Sequence, residues 1–372
     1  MRLNIPTIYE QQKKIKKILY SFLKLFSLEL LRKEDKVYIY FFKIKLIEID
    51  NKALNSIIKI GIFSFPFFLN KIVLNKVERQ IENSNLKSIE HIIFLKAHAG
   101  EISIFLSLFL ASFAKNKQLK NMLFVGYHPY HKDIVKSFFP NANFIFLPSL
   151  SINFLPFEFH FNDIKCSTIF PFSYFQVFEE RKNLDYISYM ANYLNEEPTS
   201  KFLPIKLNDK KYVYWGEKFK NSFVIIFPES QSCDSEDLSL NEIISIVKSS
   251  GLDFIINTRN SGSHNLFLDV KELPYIAKMA TGIIAIRNGI VDFLLPMQKP
   301  MFLFYTGFPF RESSLPEVSP IKVHELFSLK NVPQYHAYYK EVIIDPSNKK
   351  EKKLSELQQW LKVIMQDEYK QK

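Results

Sequence analysis

Between residues 223 and 304 the sequence repeats one pattern, in which a short apolar run is followed by polar residues and then by a stretch of helical periodicity. The apolar runs are too short for helices and predict buried strands. They occupy residues 223–227, 254–256, 282–286 and 301–304, and the helical stretches lie at 240–248, 273–280 and 290–295. Because strands that alternate with helices form parallel sheets through crossover connections, this pattern predicts an α/β domain.

A weaker copy of this alternation begins at His91. Apolar runs at 91–95, 122–125 and 143–147 alternate with helical stretches at 102–113 and 132–139. They predict a second parallel sheet in a domain of its own. A segment rich in Pro, Thr, Ser and Asn precedes Asp209 and predicts the linker, so we place the domain boundary near that residue.

The residues outside these two domains are expected to form accessory structure. Residues 19–30 carry one apolar helical face after a Lys-rich start, residues 37–49 predict a strand, and residues 58–81 predict a broken helix. The tail predicts an amphipathic helix that packs back across the first domain, with an apolar face made of Leu354, Leu357, Leu361 and Ile364. Both Lys-flanked apolar faces also suit an anionic membrane surface.

Composition limits the compartment and the partners. Cys166 and Cys233 lack the spacing of a metal site or a redox pair, so we expect reduced thiols. No signal sequence or membrane-spanning run is recognisable, and we expect a cytoplasmic protein that is able to lie on the inner face of the cytoplasmic membrane. The formal net charge of +11 suits nucleic acid, an anionic membrane or a negatively charged substrate, and charge alone does not choose among them.

Ligands of open parallel sheets bind beyond the carboxyl ends of the strands, so the polar loops at those ends predict a site. Pro228, Glu229 and Ser230 follow the first strand of the second domain, and Thr258 and Arg259 follow the next. Hydroxyl groups, backbone N–H groups, a carboxylate and a guanidinium suit a base, a ribose or a phosphate. These five residues are therefore candidate donor-binding residues.

The third strand of that domain ends in the most informative turn. Arg287, Asn288 and Gly289 lead from the strand into a helix, and Asp292 lies in the first turn of that helix. A helix start offers unpaired N–H groups, and arginine forms paired hydrogen bonds with phosphate, so the turn predicts an anion site. Asp292 either favours the helix dipole or orients Arg287. We expect Arg287→Ala to weaken the binding of a nucleotide diphosphate and to leave folding intact.

Lys96, His98 and Glu101 surround Gly100 in the loop after the first strand of the first domain. Glu101 is a candidate general base, His98 is the competing base, and Lys96 suits an acidic acceptor or a leaving phosphate. The chain has no P-loop, GxGxxG or GxSxG motif and no clustered Cys/His set, and it has no Asp-x-Asp pair for a metal. We therefore expect no metal and no cofactor.

Two segments, KAHAGEI at residues 96–102 and LPYIAKMATGIIAIRNGIVDFLLPMQKPMFLFY at residues 273–305, resemble the GT-B glycosyltransferases. The likeness is to bacterial heptosyltransferases and other lipopolysaccharide or capsule transferases. It implies two Rossmann-like domains: an acceptor-side domain at 91–209 and a donor domain at 210–348. Residues 1–90 would pack on the first domain as an accessory segment, and residues 349–372 would form the C-terminal helix.

The same resemblance implies a function. A nucleotide-diphosphate sugar would be the donor, and a glycan or glycolipid would be the acceptor. Glu101 stands where the family has its catalytic acid, usually Asp, and residues 287–292 stand near the donor's diphosphate. Inversion at the sugar carbon is expected on the same ground.

Two other functions remain open on the sequence. A nucleotide-sugar epimerase would turn over the donor without an acceptor. A non-enzymatic basic protein would bind nucleic acid or a membrane, and its nucleic-acid affinity would fall steeply with salt. We expect a nucleotide-sugar donor and a glycan or glycolipid acceptor as partners, with an anionic membrane surface as a further one, and no nucleic acid.

Overall fold

The computed structural model describes 17 segments of the chain: residues 28–33, 36–41, 44–50, 56–60, 63–67, 75, 78–79, 89–114, 121–147, 158–161, 164–169, 184–219, 221–230, 239–258, 268–307, 319–344 and 350–371. The chain forms two compact units. Unit 1 comprises Met1–Ala97, Lys117–Lys132 and Ala142–Glu180, and unit 2 comprises His98–Asn116, Asp133–Asn141 and Arg181–Lys372. The sequence-based domain boundaries near residues 90, 209 and 348 stay predictions.

Unit 1 begins with a five-stranded antiparallel sheet in chain order: β1 (Leu28–Lys33), β2 (Lys36–Phe41), β3 (Ile44–Asp50), β4 (Ser56–Ile60) and β5 (Phe63–Phe67). Two expectations are wrong here, and one is confirmed. The predicted helix at 19–30 gives way to β1 at Leu28, and the rest of it lies outside the described residues. Residues 37–49 are strand-forming as expected and contribute to two strands, β2 and β3. The region 58–81, expected to be a broken helix, instead contains most of β4 and all of β5.

The second sheet of unit 1 has the order β8-β7-β6-β10-β9. Its strands are β6 (His91–Leu95), β7 (Met122–Gly126), β8 (Asn143–Phe146), β9 (Glu158–Phe161) and β10 (Ile164–Ile169). β8, β7, β6 and β10 run parallel, and only the edge strand β9 is antiparallel. Its apolar core includes Ile92, Phe94, Leu123, Val125 and Cys166.

The helices of the described residues connect and cover these strands. They are α1 (Ala99–Ile104), which continues through a π-helical turn at Phe105–Phe109, α2 (Leu110–Ala114), α3 (Pro129–Phe138), α4 (Tyr186–Leu194), α5 (Asp209–Lys218), α6 (Leu240–Ser249), α7 (Leu273–Met279), α8 (Gly289–Leu294), α9 (Pro320–Phe327) and α10 (Lys350–Gln371). Several begin at a polar cap. Asp185 accepts the N–H groups of Ile187 and Ser188 at the start of α4, for example.

Unit 2 is built on a fully parallel sheet of order β12-β11-β13-β14-β15. Its strands are β11 (Phe223–Phe227), β12 (Asp253–Ile256), β13 (Gly282–Ile286), β14 (Met301–Tyr305) and β15 (Tyr339–Ile343). The first four coincide with the apolar runs of the sequence. A predominantly parallel sheet in each unit confirms the expected α/β class with two Rossmann-like sheets.

The predicted C-terminal helix exists as α10, but its packing differs from the expectation. Leu357, Leu361 and Ile364 are buried in one core with Trp360 and the unit 2 sheet, not across the first domain. A residue buried against a sheet is not available to a lipid surface, so this apolar face does not supply the expected membrane contact. Within the described segments no helix is both long enough and apolar enough to cross a bilayer.

Candidate functional site

Three loops meet at the carboxyl edge of the unit 2 sheet. β11 pairs with β12 on one side and with β13 on the other, so the residues after these strands are brought together. The Thr258 hydroxyl donates to the Glu229 carboxylate, and the Asn288 side chain donates to the Glu229 carbonyl oxygen at 3.2 Å. Glu229 is exposed, and Thr258 is 5% exposed. The edge therefore presents a carboxylate whose position is fixed from both sides.

Pro228, Ser230 and Arg259 are the other predicted residues of the loops after β11 and β12. Pro228 and Ser230 flank Glu229 and are half-buried. Arg259 lies outside the described residues. The donor-binding role of all five loop residues stays a prediction.

The turn after β13 is capped by its own side chain. Asn288 has extended backbone angles (φ −153°, ψ 172°), and its side-chain oxygen accepts the N–H groups of Ile290 at 3.0 Å and Val291 at 3.1 Å. A side-chain oxygen of this kind commonly accepts the unpaired N–H groups at the start of a helix. Two of the N–H groups that the sequence suggested for an anion are thus bonded within the protein.

Arg287 is buried beneath this turn and is only 4% exposed. Its guanidinium donates to the Phe327 carbonyl oxygen at 3.1 Å, to the Asn288 carbonyl oxygen at 2.8 Å and to the Asp292 carboxylate. Burial acts to lower the pKa of Arg287, but the charge and hydrogen bond of Asp292 together with the neighbouring Tyr305 and Tyr186 outweigh it and raise that pKa. Asp292 thus lies in the first turn of α8 and bonds Arg287, and both of the roles expected for it stay predictions. Direct contact of Arg287 with a phosphate stays a prediction.

The far side of Asp292 faces the start of α1. A Cβ atom built on Gly100 would lie 2.6 Å from the Asp292 carboxylate, and one built on Gly289 would lie 2.7 Å from the backbone nitrogen of Gly100. Side chains at these positions would overlap their neighbours, so glycine is required for α1 and α8 to approach. The Tyr186 hydroxyl lies 3.5 Å from the Gly100 carbonyl oxygen and also hydrogen-bonds to Asp292.

The predicted base residues lie at this start of α1 or just before it. Glu101 is half-buried in the first turn of α1, and its charge acts on both Asp292 and Tyr186. His98 precedes the helix and is exposed. Lys96 is 3% exposed and belongs to unit 1, where its carbonyl oxygen accepts the Tyr127 hydroxyl at 3.3 Å. The structure thus brings Glu101 to Asp292, while the catalytic roles of Glu101, His98 and Lys96 stay predictions.

A second polar cluster surrounds Glu341, and its Tyr305 shares the Phe327 carbonyl oxygen with Arg287. The Glu341 carboxylate accepts the Tyr305 and Ser328 hydroxyls and the Leu329 N–H, and it lies 3.3 Å from the His324 ring. Burial acts to raise the pKa of Glu341, but these hydrogen bonds outweigh it and lower that pKa. Tyr305 and Arg287 both bond the Phe327 carbonyl oxygen, so the end of α9 is held against the site turn.

Sequence reasoning did not find Tyr186 or Thr306. Tyr186 meets Gly100 across 86 residues of sequence, and no local pattern marks it. Thr306 directly follows β14, so the rule that selected the loops after β11, β12 and β13 would have selected it too. No group of three or more His, Cys, Asp or Glu residues suited to a metal occurs among the residues that the structure describes.

No protein-family model matches the chain, and no curated protein matches it in sequence. Solved structures resemble it at low identity. TibC of enterotoxigenic E. coli, a dodecameric iron-containing heptosyltransferase solved with ADP-D-beta-D-heptose, is 11% identical over 89% of this chain and 90% of its own, with a TM-score of 0.42. The E. coli ADP-heptose lipopolysaccharide heptosyltransferase II is 10% identical over 75% of this chain and 100% of its own, with a TM-score of 0.48.

A glycosyl transferase of family 9 from Veillonella parvula is 12% identical over 75% of this chain and 97% of its own, with a TM-score of 0.47. Each of these similarities is distant. These proteins are of the kind that the two sequence segments at residues 96–102 and 273–305 resemble.

Proposed function

We propose that this chain is a glycosyltransferase. It moves a hexosyl- or heptosyl-type sugar from a nucleotide-diphosphate sugar to a hydroxyl of a cell-surface glycan or glycolipid, such as lipopolysaccharide, lipooligosaccharide or capsule. In this proposal residues 210–348 hold the donor, and the loop from Lys96 to Glu101 serves the acceptor.

One observation carries the proposal. The contact between Gly100 and Gly289 brings the first turn of α1, with Glu101, against the first turn of α8. Asn288, at the start of that turn, is in turn bonded to the Glu229 loop. A half-buried carboxylate therefore lies close to the polar carboxyl edge of a parallel sheet, which is where such sheets bind ligands. A general base and a donor site must be neighbours for direct sugar transfer.

The mechanism needs one proton transfer and one displacement. Glu101 takes the proton of the acceptor hydroxyl, and the hydroxyl oxygen attacks the anomeric carbon of the donor sugar. The bond from that carbon to the diphosphate breaks, and its electron pair leaves with the diphosphate. Attack from the side opposite the leaving group inverts the anomeric configuration. Arg287 acts mainly through the turn that it holds, since it donates to the Phe327 and Asn288 carbonyl oxygens and to the Asp292 carboxylate.

The proposal includes no metal ion. Neutralisation of the leaving diphosphate then falls to hydrogen-bond donors of the protein at the sheet edge. Excess chelator should leave transfer unchanged. Loss of activity that Mg²⁺ or Mn²⁺ restores would reject this part of the proposal alone.

Sugar transfer to an added glycolipid acceptor, measured for a panel of nucleotide sugars, tests the function itself. One nucleotide sugar should release its nucleotide diphosphate only when acceptor is present. Release or isomerisation of the donor without an acceptor would favour the epimerase instead. Nucleic-acid binding that falls with salt, without any transfer, would favour the non-enzymatic alternative.

Glu101→Gln tests the base. The amide keeps the size of the side chain and cannot accept the proton, so the rate should fall about a hundredfold or more while the donor Kd stays near normal. His98→Ala is the control for the competing base. If His98→Ala abolishes transfer and Glu101→Gln does not, then His98 is the base; if neither variant loses activity, the proposed chemistry is wrong.

A further inference from the structure

Thr306 is a buried hydroxyl with no hydrogen-bond partner. It is 3% exposed, and its Oγ1 atom contacts neither a donor nor an acceptor. A buried hydroxyl without a partner is unfavourable, by about 1–3 kcal/mol in protein variants. A polar group kept in such a position needs a reason, and a bound ligand is one.

The position of Thr306 in the sheet connects it with the candidate site. β13 and β14 pair in parallel, with Ile284 opposite Phe302 and Ile286 opposite Phe304. The Arg287 N–H bonds the Phe304 carbonyl oxygen at 2.9 Å, at the end of this pairing. β13 ends at Ile286 and β14 at Tyr305, so Asn288 and Thr306 follow the ends of two neighbouring strands. Both residues therefore lie at the carboxyl edge of the sheet, where open parallel sheets bind ligands.

The face of the sheet on which the Thr306 side chain lies follows from its position directly after β14. Alternation along a strand puts Thr306 on the face of Phe302 and Phe304, which pack with Trp360. The carboxyl edge thus carries Thr306 as a polar residue in addition to Glu229, Thr258 and Asn288.

The chemistry of the edge suggests what the Thr306 hydroxyl binds. The two N–H groups at the start of α8 are bonded to Asn288, and Arg287 is bonded to Asp292 and to two carbonyl oxygens. The Glu229 carboxylate repels anions and instead accepts hydrogen bonds from hydroxyl groups. An anion at this edge needs a donor with no bond of its own, and the Thr306 hydroxyl is such a donor.

We propose that Thr306 is a donor-binding residue whose hydroxyl donates a hydrogen bond to a phosphate oxygen of the nucleotide diphosphate. This inference rests on the proposed function and names a residue that the sequence did not select. The hydroxyl satisfies its own unmet hydrogen bond only when the donor is bound. The empty site therefore holds an unfavourable group that donor binding relieves.

Thr306→Val removes the hydroxyl and keeps the shape, and Thr306→Ser keeps the hydroxyl. Calorimetry with ADP, UDP, GDP, CDP and dTDP first finds the nucleotide that the wild type binds. Thr306→Val should raise the Kd for that nucleotide tenfold or more, because a hydrogen bond to a charged group changes affinity by about that factor. Thr306→Ser should stay within about threefold of the wild type. Thr199→Val, which removes a hydroxyl bonded to the Lys201 carbonyl oxygen, is the remote control and should change nothing.

Two further readouts separate the possible outcomes. Without nucleotide, Thr306→Val should melt at the same temperature as the wild type or higher, because it removes an unpaired polar group; a loss of affinity in a less stable protein would point to misfolding and reject the inference. The matching nucleoside should bind wild type and Thr306→Val alike, and an equal loss for the nucleoside would overturn the phosphate contact.

An unchanged nucleotide Kd in Thr306→Val would show that Thr306 is only a core hydroxyl, while the donor site itself would stand. If the wild type binds none of the five nucleotides, the donor site fails and the inference fails with it.

Discussion

The pair of Arg287 and Asp292 makes the sharpest prediction about stability, and it reverses an expectation from the sequence. The sequence suggested that folding would tolerate Arg287→Ala. In the structure the two side chains are 4% and 6% exposed, and the guanidinium bonds two backbone carbonyl oxygens as well as the carboxylate. Removing the guanidinium leaves a buried carboxylate close to the charge of Glu101. Breaking a buried pair from one side costs about 3–5 kcal/mol.

Arg287→Met should therefore lower the free energy of unfolding by about 3–5 kcal/mol, a large part of the 5–15 kcal/mol that is typical of folded proteins. Urea unfolding followed by tryptophan fluorescence measures this directly. The chain has two tryptophans, Trp215 and Trp360, and both belong to unit 2. The signal thus reports the unit that contains the pair.

Two variants serve as controls for this prediction. The double variant Arg287→Met with Asp292→Leu removes both charges and should be more stable than Arg287→Met alone. Lys322→Met breaks a half-exposed pair with Glu325 at 2.9 Å and should cost about 0.5 kcal/mol or less. If Arg287→Met costs no more than Lys322→Met, the guanidinium does not form the buried pair described here.

Two other predictions concern packing and pH. Gly289→Ala should destabilise unit 2 by about 1–3 kcal/mol, because its Cβ atom would overlap Gly100, whereas Gly216→Ala has space (nearest atom 3.8 Å) and should be neutral or stabilising in urea unfolding. The pKa of Glu341 is lowered in the folded protein, so its contribution to stability is present above the ordinary value of 4.5 and is lost as the pH falls below it. Urea midpoints measured from pH 7 to 3 should fall less steeply for Glu341→Gln than for the wild type, and parallel curves would contradict this assignment.

The unit 2 sheet could be predicted from sequence because its central strands are buried on both faces and read as continuous apolar runs. β15 was not predicted, since Tyr339–Ile343 is an edge strand that mixes charged and apolar residues. In the first ninety residues Pro66 lies within the region expected to be a broken helix, 58–81. It lies in β5, the edge strand of its sheet, where a missing N–H is tolerated.

The location of a site residue was predictable only where its position at the end of a strand determines it. Glu229, Thr258 and Asn288 follow adjacent parallel strands, and strand ends meet at one edge whatever the side chains are. The burial of Arg287 depends on Phe327, which lies 40 residues away in sequence, and the position of Gly100 depends on Asp292 and Tyr186. Such contacts are set by the tertiary fold, and spacing along the chain does not reveal them.

The contact between α1 and α8 has a consequence for how this protein can be divided and for how it can evolve. Residues 98–116 belong to unit 2 although the chain returns to unit 1 twice before residue 181. A fragment that began near Asp209 would keep the parallel sheet but lose α1. The backbone of Gly289 would then lose its contact with Gly100. Unit 2 is therefore not a cassette that recombination could exchange at a single crossover. Under the proposed function, an exchange of donor specificity by recombination would have to carry residues near position 100 along with those near position 290.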